Sequence, residues 1–356
     1  MRGIVYTGED AEVTDKLGIG EPGPTEVKVK IVAAGVCHSD LSVLDGTIPW
    51  KAPSVLGHEG AGIVESIGSS VRSVKPGDHV VVATLASCGT CRACNTGHPT
   101  MCIRSLGNVS TPFTYKGEPA SNFAAASVFA EYTIIQEVQA VPISKDVPFT
   151  SACLIGCGVL TGVGSVLNRA KVAPGENVVV IGCGGVGMAA INGAEIAGAG
   201  RIIAVDTNPA KLQLATKLGA TDIVDPRNGD VVQQVRDLTG GGVHHSFEVL
   251  GRKETAEQAF AMLAPGGTAT IVGMIPFGQK IELHGFDFLR ERKIQGSSMG
   301  SNHFRVDMPR LIEFYMRGKL HLEDWISAKL KLSEINEGFA AMKAGKTVRS
   351  VIMFDA

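Results

Sequence analysis

Residues 178–187 read VVVIGCGGVG, a run of branched apolar side chains that empties straight into glycines spaced as GxGxxG. Such a run makes a buried strand, and the residues after the glycines are compatible with a helix. Gly182 permits the turn, Gly184 lets a pyrophosphate approach the backbone, and Gly187 lets the helix pack on the strand. Gly185 and Val186 complete the turn and put the helix N-terminus toward the phosphates. Asp206 ends the next apolar run, roughly twenty residues further on, where a carboxylate accepts from the adenosine ribose hydroxyls and repels a 2′-phosphate. NAD rather than NADP is the expected cofactor. Residues 178–200 are also long enough to cross a bilayer, but Asn192, Glu195 and the glycines argue for strand, turn and buried helix instead.

That unit needs only part of a 356-residue chain, which is too long for one ordinary core. After Pro174-Gly175, short apolar runs recur at 178–181, 202–205, 223–224, 247–250 and 269–272, with helix-like segments between most of them. Asn208-Pro209 caps a helix to about Leu218. A helix over 254–263 is expected to stop at Pro265-Gly266-Gly267. Strands alternating with helices predict a parallel sheet with right-handed crossovers. Residues 1–157 read differently, as β-rich. Residues 27–32 and part of 132–141 alternate with period two, and Lys75-Pro76-Gly77-Asp78 turns into the apolar run 80–83. From about residue 298 the pattern becomes helical, ending in the strand-like 348–354.

Lys plus Arg number 33 against 35 Asp plus Glu, which leaves no basic surplus to hold a nucleic-acid backbone. With 44% hydrophobic and 19% charged residues, general disorder is excluded. The opening MRGIVYTGED has no charged-then-apolar leader, so a soluble cytoplasmic protein with no membrane partner is expected.

Eight cysteines occur, and a reducing compartment argues against pairing them as disulfides. Four fall in one window: Cys88, Cys91, Cys94 and Cys102. Two-residue spacers turn neighbouring thiolates onto one ion, and four thiolates close a tetrahedral zinc shell. Gly89, Gly97 and Pro99 supply the turns. With no coordination position left open, this zinc is structural.

Three further features converge: GVCHSD at 35–40, GHEGAG at 57–62 and GCG at 156–158. Together with the cysteine window and the glycine turn, they resemble the zinc-dependent medium-chain alcohol dehydrogenases, along essentially the whole chain and in that family's order. His58 and Glu59 begin the family's GHE zinc signature, with Gly62, Gly68 and Val71 at its spacings. FTYKGEPASNFAAASVFAEYT (113–133) and GCGVLTG (156–162) look like the animal class I and class III branch and its bacterial relatives. The resemblance implies an α/β fold with a β-rich GroES-like catalytic domain and a Rossmann doubly wound parallel-sheet cofactor domain. The first would comprise residues 1–157 and 298–356, the second 158–297, with the active site in the cleft between them.

The resemblance makes Cys37, His58 and Cys157 the ligands of a catalytic zinc whose fourth position takes water or substrate. Two zinc ions per chain are therefore expected. Glu59 sits behind the metal and can approach it during ligand exchange. Cys153 and Cys183 match no ligand position and read as small buried side chains. The ligand set implies oxidation of an alcohol to an aldehyde or ketone with hydride passing to NAD, since a Lewis-acid metal lets a hydroxyl ionise near neutral pH. Ser39 matches the hydroxyl that takes the alcohol proton. Ser42 stands where animal class I enzymes carry a His, and a hydroxyl has no pKa near 7. His38 fills a place where relatives set Arg or His against the pyrophosphate. Lys211 and Arg349 match two other cofactor contacts, and Thr161 a residue beside the nicotinamide.

Thr84 matches a pocket position that is aromatic in some class I enzymes, and a smaller side chain there implies room for a bulky or aromatic primary alcohol. Class III relatives hold glutathione with an acid just before GHE, and residues 46–56 (GTIPWKAPSVL) contain none. This weighs against the glutathione–formaldehyde adduct but leaves another thiol carrier open. Two other readings are a relative that holds its nicotinamide permanently and a non-catalytic binding member of the fold. Retention of Cys37, His58 and Cys157 weighs against the latter. The long segment from Cys102 to Cys157 is closer to dimeric animal enzymes than to the tetrameric yeast type, so a homodimer is expected.

Overall fold

The computed structural model describes residues 1–105 and 109–354; residues 106–108 and 355–356, which fall within the expected catalytic-domain segments, lie outside the described residues. The chain divides into two compact units, Met1–Cys157 with His303–Ala356, and Gly158–Asn302.

The first unit is built on the strand Glu26–Val36. Val27, Val29 and Ile31 are buried, with half-buried side chains between them, so the period-two pattern is the signature of one covered face. From Ala33 to Val36 every residue is buried. One edge of this strand pairs antiparallel with Glu59–Ile67. The other edge is shared between Tyr132–Gln136 and Arg349–Met353. His79–Val82 and Ala140–Pro142 extend the sheet on one side, Ile326–Lys331 on the other. The core on its covered face includes Val64, Val80, Val82, Phe129, Ile135 and Ile352. A second sheet takes the order Ala11–Thr14, Gly3–Tyr6, Ser54–Val55, Glu118–Asn122, Phe113–Tyr115, Leu17–Ile19. The C-terminal part is less uniformly helical than its pattern implies. Helices Phe304–Met316 and Ile335–Lys343 flank Ile326–Lys331, an edge strand whose Ser327, Lys329 and Lys331 are exposed. Charged side chains protect such an edge, and they also hide it from an apolar-run reading.

The second unit carries six strands, all paired parallel, in the order Asp222–Val224, Arg201–Val205, Asn177–Ile181, Val243–Glu248, Leu263–Ile271, Lys293–Gly296. By position along the chain this is 3-2-1-4-5-6, the doubly wound dinucleotide order, with its reversal beside Asn177–Ile181. Val178 to Ile181 are buried because helices cover both faces of such a sheet. The expected helix after Asn208 spans Pro209–Lys217, with the Asn208 side chain accepting from the Ala210 amide. Pro265-Gly266-Gly267 is not a terminus. The helix ends earlier, at Ala261, and the strand Leu263–Ile271 runs through the three residues with a register shift opposite Val243 and His245. The sequence reads as a stop because glycine and proline at a bulge look the same as glycine and proline after a helix.

The bilayer-length run 178–200 is the strand Asn177–Ile181, a turn and the helix Gly185–Ala197. Phe149–Ala170 is also long and apolar enough to cross a membrane, and 89% of its apolar window is buried inside the structure.

The glycine turn sorts its residues by physical need. Gly182 has φ +103°, a conformation other residues adopt at a cost. A Cβ on Gly187 would run into the Gly182 carbonyl oxygen, so the helix lies too close to the strand for any side chain. A Cβ on Gly184 would meet nothing within 4 Å. Gly187→Val should therefore destabilise the protein by about 3 kcal/mol and lower its melting temperature by several degrees, while Gly184→Ala leaves it unchanged. Equal shifts for the two variants in thermal denaturation would contradict this reading.

Candidate active site

Cys37 ends the central strand and caps the helix His38–Leu44, its amide bonded by the Asp40 carboxylate at 3.3 Å. The other Asp40 oxygen accepts from the Gly57 amide at 3.0 Å and faces His58 Nδ1 at 3.2 Å. Asp40 is fully buried. One carboxylate thus ties the segment of Cys37 to the segment of His58. By accepting a hydrogen bond from Nδ1–H it leaves the lone pair on Nε2, the arrangement a metal-binding imidazole needs. Nε2 is buried and has no hydrogen-bond partner among the described residues.

Cys157 arrives from elsewhere in the chain, on the helical stretch Ile155–Val159, which is widened to π geometry. Such one-turn widenings re-aim side chains and occur mostly at functional sites. Thr84 fastens this stretch to the His58 segment, its hydroxyl placed between the carbonyl oxygens of His58 (2.9 Å) and Gly156 (3.1 Å). Thr84 is therefore also a scaffold residue, a role its spacing did not reveal. Ligand atoms of Cys37, His58, Glu59 and Cys157 all lie within 4.8 Å of one another.

The electrostatics fit a dication. The Cys157 thiol lowers the pKa of Cys37 most; burial opposes this, and His58 and Arg349 lower it further, so that Cys37 sits well below the usual thiol range. Burial disfavours a charged imidazole, but Asp40 and Cys37 reverse that and carry the His58 pKa up to about 10. Two soft sulfur donors and an outward-facing imidazole nitrogen, with negative charge gathered around them, match a Cys₂His zinc set. Arg349, expected at the cofactor, is buried and ion-paired with Glu59. A solvated surface charge is excluded for it.

Ser39 is half-buried, its Oγ 3.9 Å from Cys37 Sγ. Ser42, one helical turn on, is buried and not open to solvent, whereas His38 is exposed. Asp40 is the residue that sequence reasoning passed over, although an acid three residues after a helix-capping position is a readable spacing.

Cys88, Cys91, Cys94 and Cys102 also bring their sulfurs within 4.8 Å of one another, with no disulfide among them. Backbone amides point at the sulfurs: those of Cys91 at Cys88 (3.3 Å), Cys88 at Cys102 (3.3 Å) and Arg104 at Cys102 (3.4 Å). Contacts with Thr90 and the Cys91 amide bring the Cys88 pKa down to about 5. Burial and the Cys91 thiol push Cys94 up to about 12. Four thiols this close cannot all ionise unaided, and a bound dication removes the conflict. Cys153 and Cys183 are buried, and burial pushes both thiols up, as inert packing residues require.

In the second unit, Asp206 closes on the glycine turn, accepting from the Cys183 amide at 2.7 Å and the Asn208 amide at 2.8 Å. Lys211 is half-buried in the first turn of Pro209–Lys217, and its charge, like that of Asp206, is felt at Cys183. Gly184 caps the helix Gly185–Ala197 that Gly185, Val186 and Gly187 begin. Thr161 lies on the helix Leu160–Gly164, which packs against Gly185–Ala197 through Gly162, and its hydroxyl is 3.8 Å from Met299 Sδ.

Residues 23–145 match the family of alcohol dehydrogenase GroES-like domains, and residues 185–317 that of zinc-binding dehydrogenases. The chain is 40% identical over 351 residues to the S-(hydroxymethyl)glutathione dehydrogenase of Synechocystis sp., covering 95% of each sequence. Among solved structures it is similar to an alcohol dehydrogenase zinc-binding domain protein from Burkholderia ambifaria, with TM-score 0.95 and 33% identity over 100% of this chain and 99% of the other. It is also similar to the benzyl alcohol dehydrogenase of Acinetobacter calcoaceticus, with TM-score 0.94 and 35% identity over 99% of both chains.

Asp40→Asn keeps the shape of the side chain but loses the charge that fixes the imidazole tautomer. Affinity for the zinc at this site should fall about 10–100-fold, read as metal retained after dialysis against a graded chelator series. Unchanged retention would remove Asp40 from its role.

Proposed function

The chain belongs to the zinc-dependent medium-chain alcohol dehydrogenase family, and from that premise we propose that it oxidises a bulky or aromatic primary alcohol with NAD. It is a zinc-dependent oxidoreductase that uses a nicotinamide cofactor and acts on small-molecule alcohols. The finer reading is carried by the convergence of Cys37, His58 and Cys157 under the control of Asp40.

Cys37, His58 and Cys157 would hold a catalytic zinc, and Cys88, Cys91, Cys94 and Cys102 a second. When bound, zinc supplies a Lewis acid that favours ionisation of a hydroxyl near neutral pH, and NAD supplies the hydride acceptor. The residues do the rest. Asp40 keeps the Nδ1 proton of His58 in place. Arg349 balances the Glu59 carboxylate so that an unpaired charge does not stand behind the thiols. Ser39 Oγ takes the proton of the substrate hydroxyl, and Ser42 can pass a proton but not store one. Within the cofactor unit, the amides at the start of Gly185–Ala197 and Lys211 would receive the pyrophosphate, and His38 is a cofactor contact by resemblance alone. Asp206 accepts from the adenosine ribose, and Thr161 borders the nicotinamide.

The small Thr84 and the acid-free segment 46–56 support a bulky or aromatic alcohol, as does the likeness to a benzyl alcohol dehydrogenase. Oxidation of a thiol–formaldehyde adduct is the second reading, favoured by the likeness to an S-(hydroxymethyl)glutathione dehydrogenase. Absorbance at 340 nm decides between them, with NAD and a panel of ethanol, hexanol, benzyl alcohol, a terpene alcohol and a glutathione–formaldehyde adduct. The expected rise is with the ring-bearing or bulky alcohols, and Cys37→Ser should abolish it together with one zinc per chain. A rise with the adduct alone selects the second reading. No rise in protein holding two zincs overturns both and points to a nicotinamide that does not exchange.

The protein is proposed to be cytoplasmic and to form a homodimer through the cofactor unit. Met274, Phe277, Phe286, Phe288 and Leu289 are all exposed, and Lys293–Gly296 ends its sheet with one edge open. Exposed apolar side chains in the unit that carries an open strand edge invite a second copy. Light scattering should give twice the 37.2 kDa chain, and Phe277→Asp with Leu289→Asp should halve that mass. A monomeric or tetrameric parent protein would refute the dimer.

A further inference from the structure

The segment 46–56 leads from the helix of Cys37 to the His58 segment, and it contains one of only two tryptophans in the chain. Trp50 is half-buried, and its Nε1 faces Ser54 Oγ and the Asn122 carbonyl, each at 3.2 Å. Its ring meets Phe123 at 5.1 Å between centroids and an interplanar angle of 88°. Phe123 in turn meets the His58 imidazole at 5.6 Å and 85°. Three rings, each perpendicular to the next, thus run from the loop to the imidazole whose Nε2 faces the thiols. Both contacts have the edge-to-face geometry that aromatic quadrupoles favour.

The backbone beneath Phe123 is fixed independently. Ala124, Ala125 and Ser127 have φ values of +51°, +54° and +50°, which only a well-held segment sustains. Ser127 Oγ accepts from the Phe123 amide at 2.8 Å and donates to the Val55 carbonyl at 2.7 Å. Gln139 Nε2 donates to the carbonyls of Ala83 (2.9 Å) and Ala125 (3.1 Å), and Thr133 donates to Ala126. These bonds set where the Phe123 ring is rooted. The ring itself is buried in the core, and the Trp50 indole and the His58 imidazole meet it from either side.

We propose that Trp50 is a positioning residue for substrate choice: it holds the Phe123 ring as a flat wall beside His58 and so favours ring-bearing alcohols over short aliphatic ones. This rests on the reading of the active site as one for bulky or aromatic alcohols. An indole tethered at Nε1 cannot swing away, so the wall is preorganised and a planar substrate does not bear the cost of ordering it. Ethanol has no ring face to lay against such a wall and gains less from it. Each edge-to-face contact is worth up to about tenfold in an equilibrium.

The test compares zinc-loaded wild type with Trp50→Ala, Trp50→Leu and Trp50→Phe on benzyl alcohol and ethanol. Leu keeps apolar bulk without a ring edge, and Phe keeps the edge without the tether. In the Ala and Leu variants, kcat/KM for benzyl alcohol should fall about tenfold or more, mainly through KM, while that for ethanol stays within about threefold. Trp50→Phe should recover benzyl alcohol oxidation in part, to a value between those of the Ala variant and the parent, with the zinc content of the parent. Unchanged values in all variants, or equal losses for both alcohols, would overturn the role of Trp50. A wild-type enzyme that oxidises ethanol but not benzyl alcohol would instead overturn the substrate reading, and this inference with it.

Discussion

A carboxylate with no access to water is expensive unless donors surround it, and Asp40 has three: the amides of Cys37 and Gly57 and the imidazole of His58. The β-ladder sets Gly35 opposite Glu59, and Asp40 adds the link from the Cys37 amide to the Gly57 amide and the His58 imidazole, where two of the metal ligands sit. The interaction works in both directions. Folding brings three donors to one anion and so offsets its desolvation; the anion in turn decides which imidazole nitrogen carries the proton. The tautomer of His58, the outward aim of Nε2 and the distance to Cys37 all depend on that single group.

The strand Glu26–Val36 converts this local arrangement into a site. Its register sets Gly35 opposite Glu59, and Gly35 has no side chain because a Cβ there would run into the Glu59 carboxylate. On its other edge, Gly35 pairs with Val351 and Val36 with Ser350, next to Arg349, whose guanidinium meets the same carboxylate. A pair buried this deeply repays its desolvation only when its members are brought together, and here the two strands that flank the central strand do so. Thr84 then secures the third ligand by bridging the carbonyls of His58 and Gly156. Sheet register, rather than any one loop, decides where the thiols and the imidazole meet.

Much of this is legible in the sequence because the relevant signals are local. Cysteines two residues apart, glycines spaced for a phosphate turn and an acid at the end of the next strand each compress a structural demand into a short window. Cys37, His58 and Cys157 are legible only through resemblance, since residues so far apart share no window. Asp40, Thr84 and Arg349 show what stays hidden: each acts on a partner distant in sequence, and each reads only by its own surroundings. Pro265-Gly266-Gly267 misleads because a bulge and a helix stop use the same residues. Ile326–Lys331 escapes because an edge strand protected by serine and lysines lacks the apolar run that betrays a buried one.

The cofactor unit is one unbroken stretch, Gly158–Asn302, while the other unit is completed only by His303–Ala356. On the ribosome, every expected metal ligand emerges before residue 158, and the whole dinucleotide-binding sheet is made before the strand Arg349–Met353 exists. Until that last strand pairs with Glu26–Val36, the Glu59 carboxylate has no guanidinium and the central strand keeps half of one edge open. The nascent chain therefore carries seven thiol or imidazole ligands beside an unfinished sheet for the time needed to make its C-terminal half. Its exposure to oxidants, to wrong metals and to strand-seeking neighbours is greatest then, and the strand Arg349–Met353 is the one that closes it.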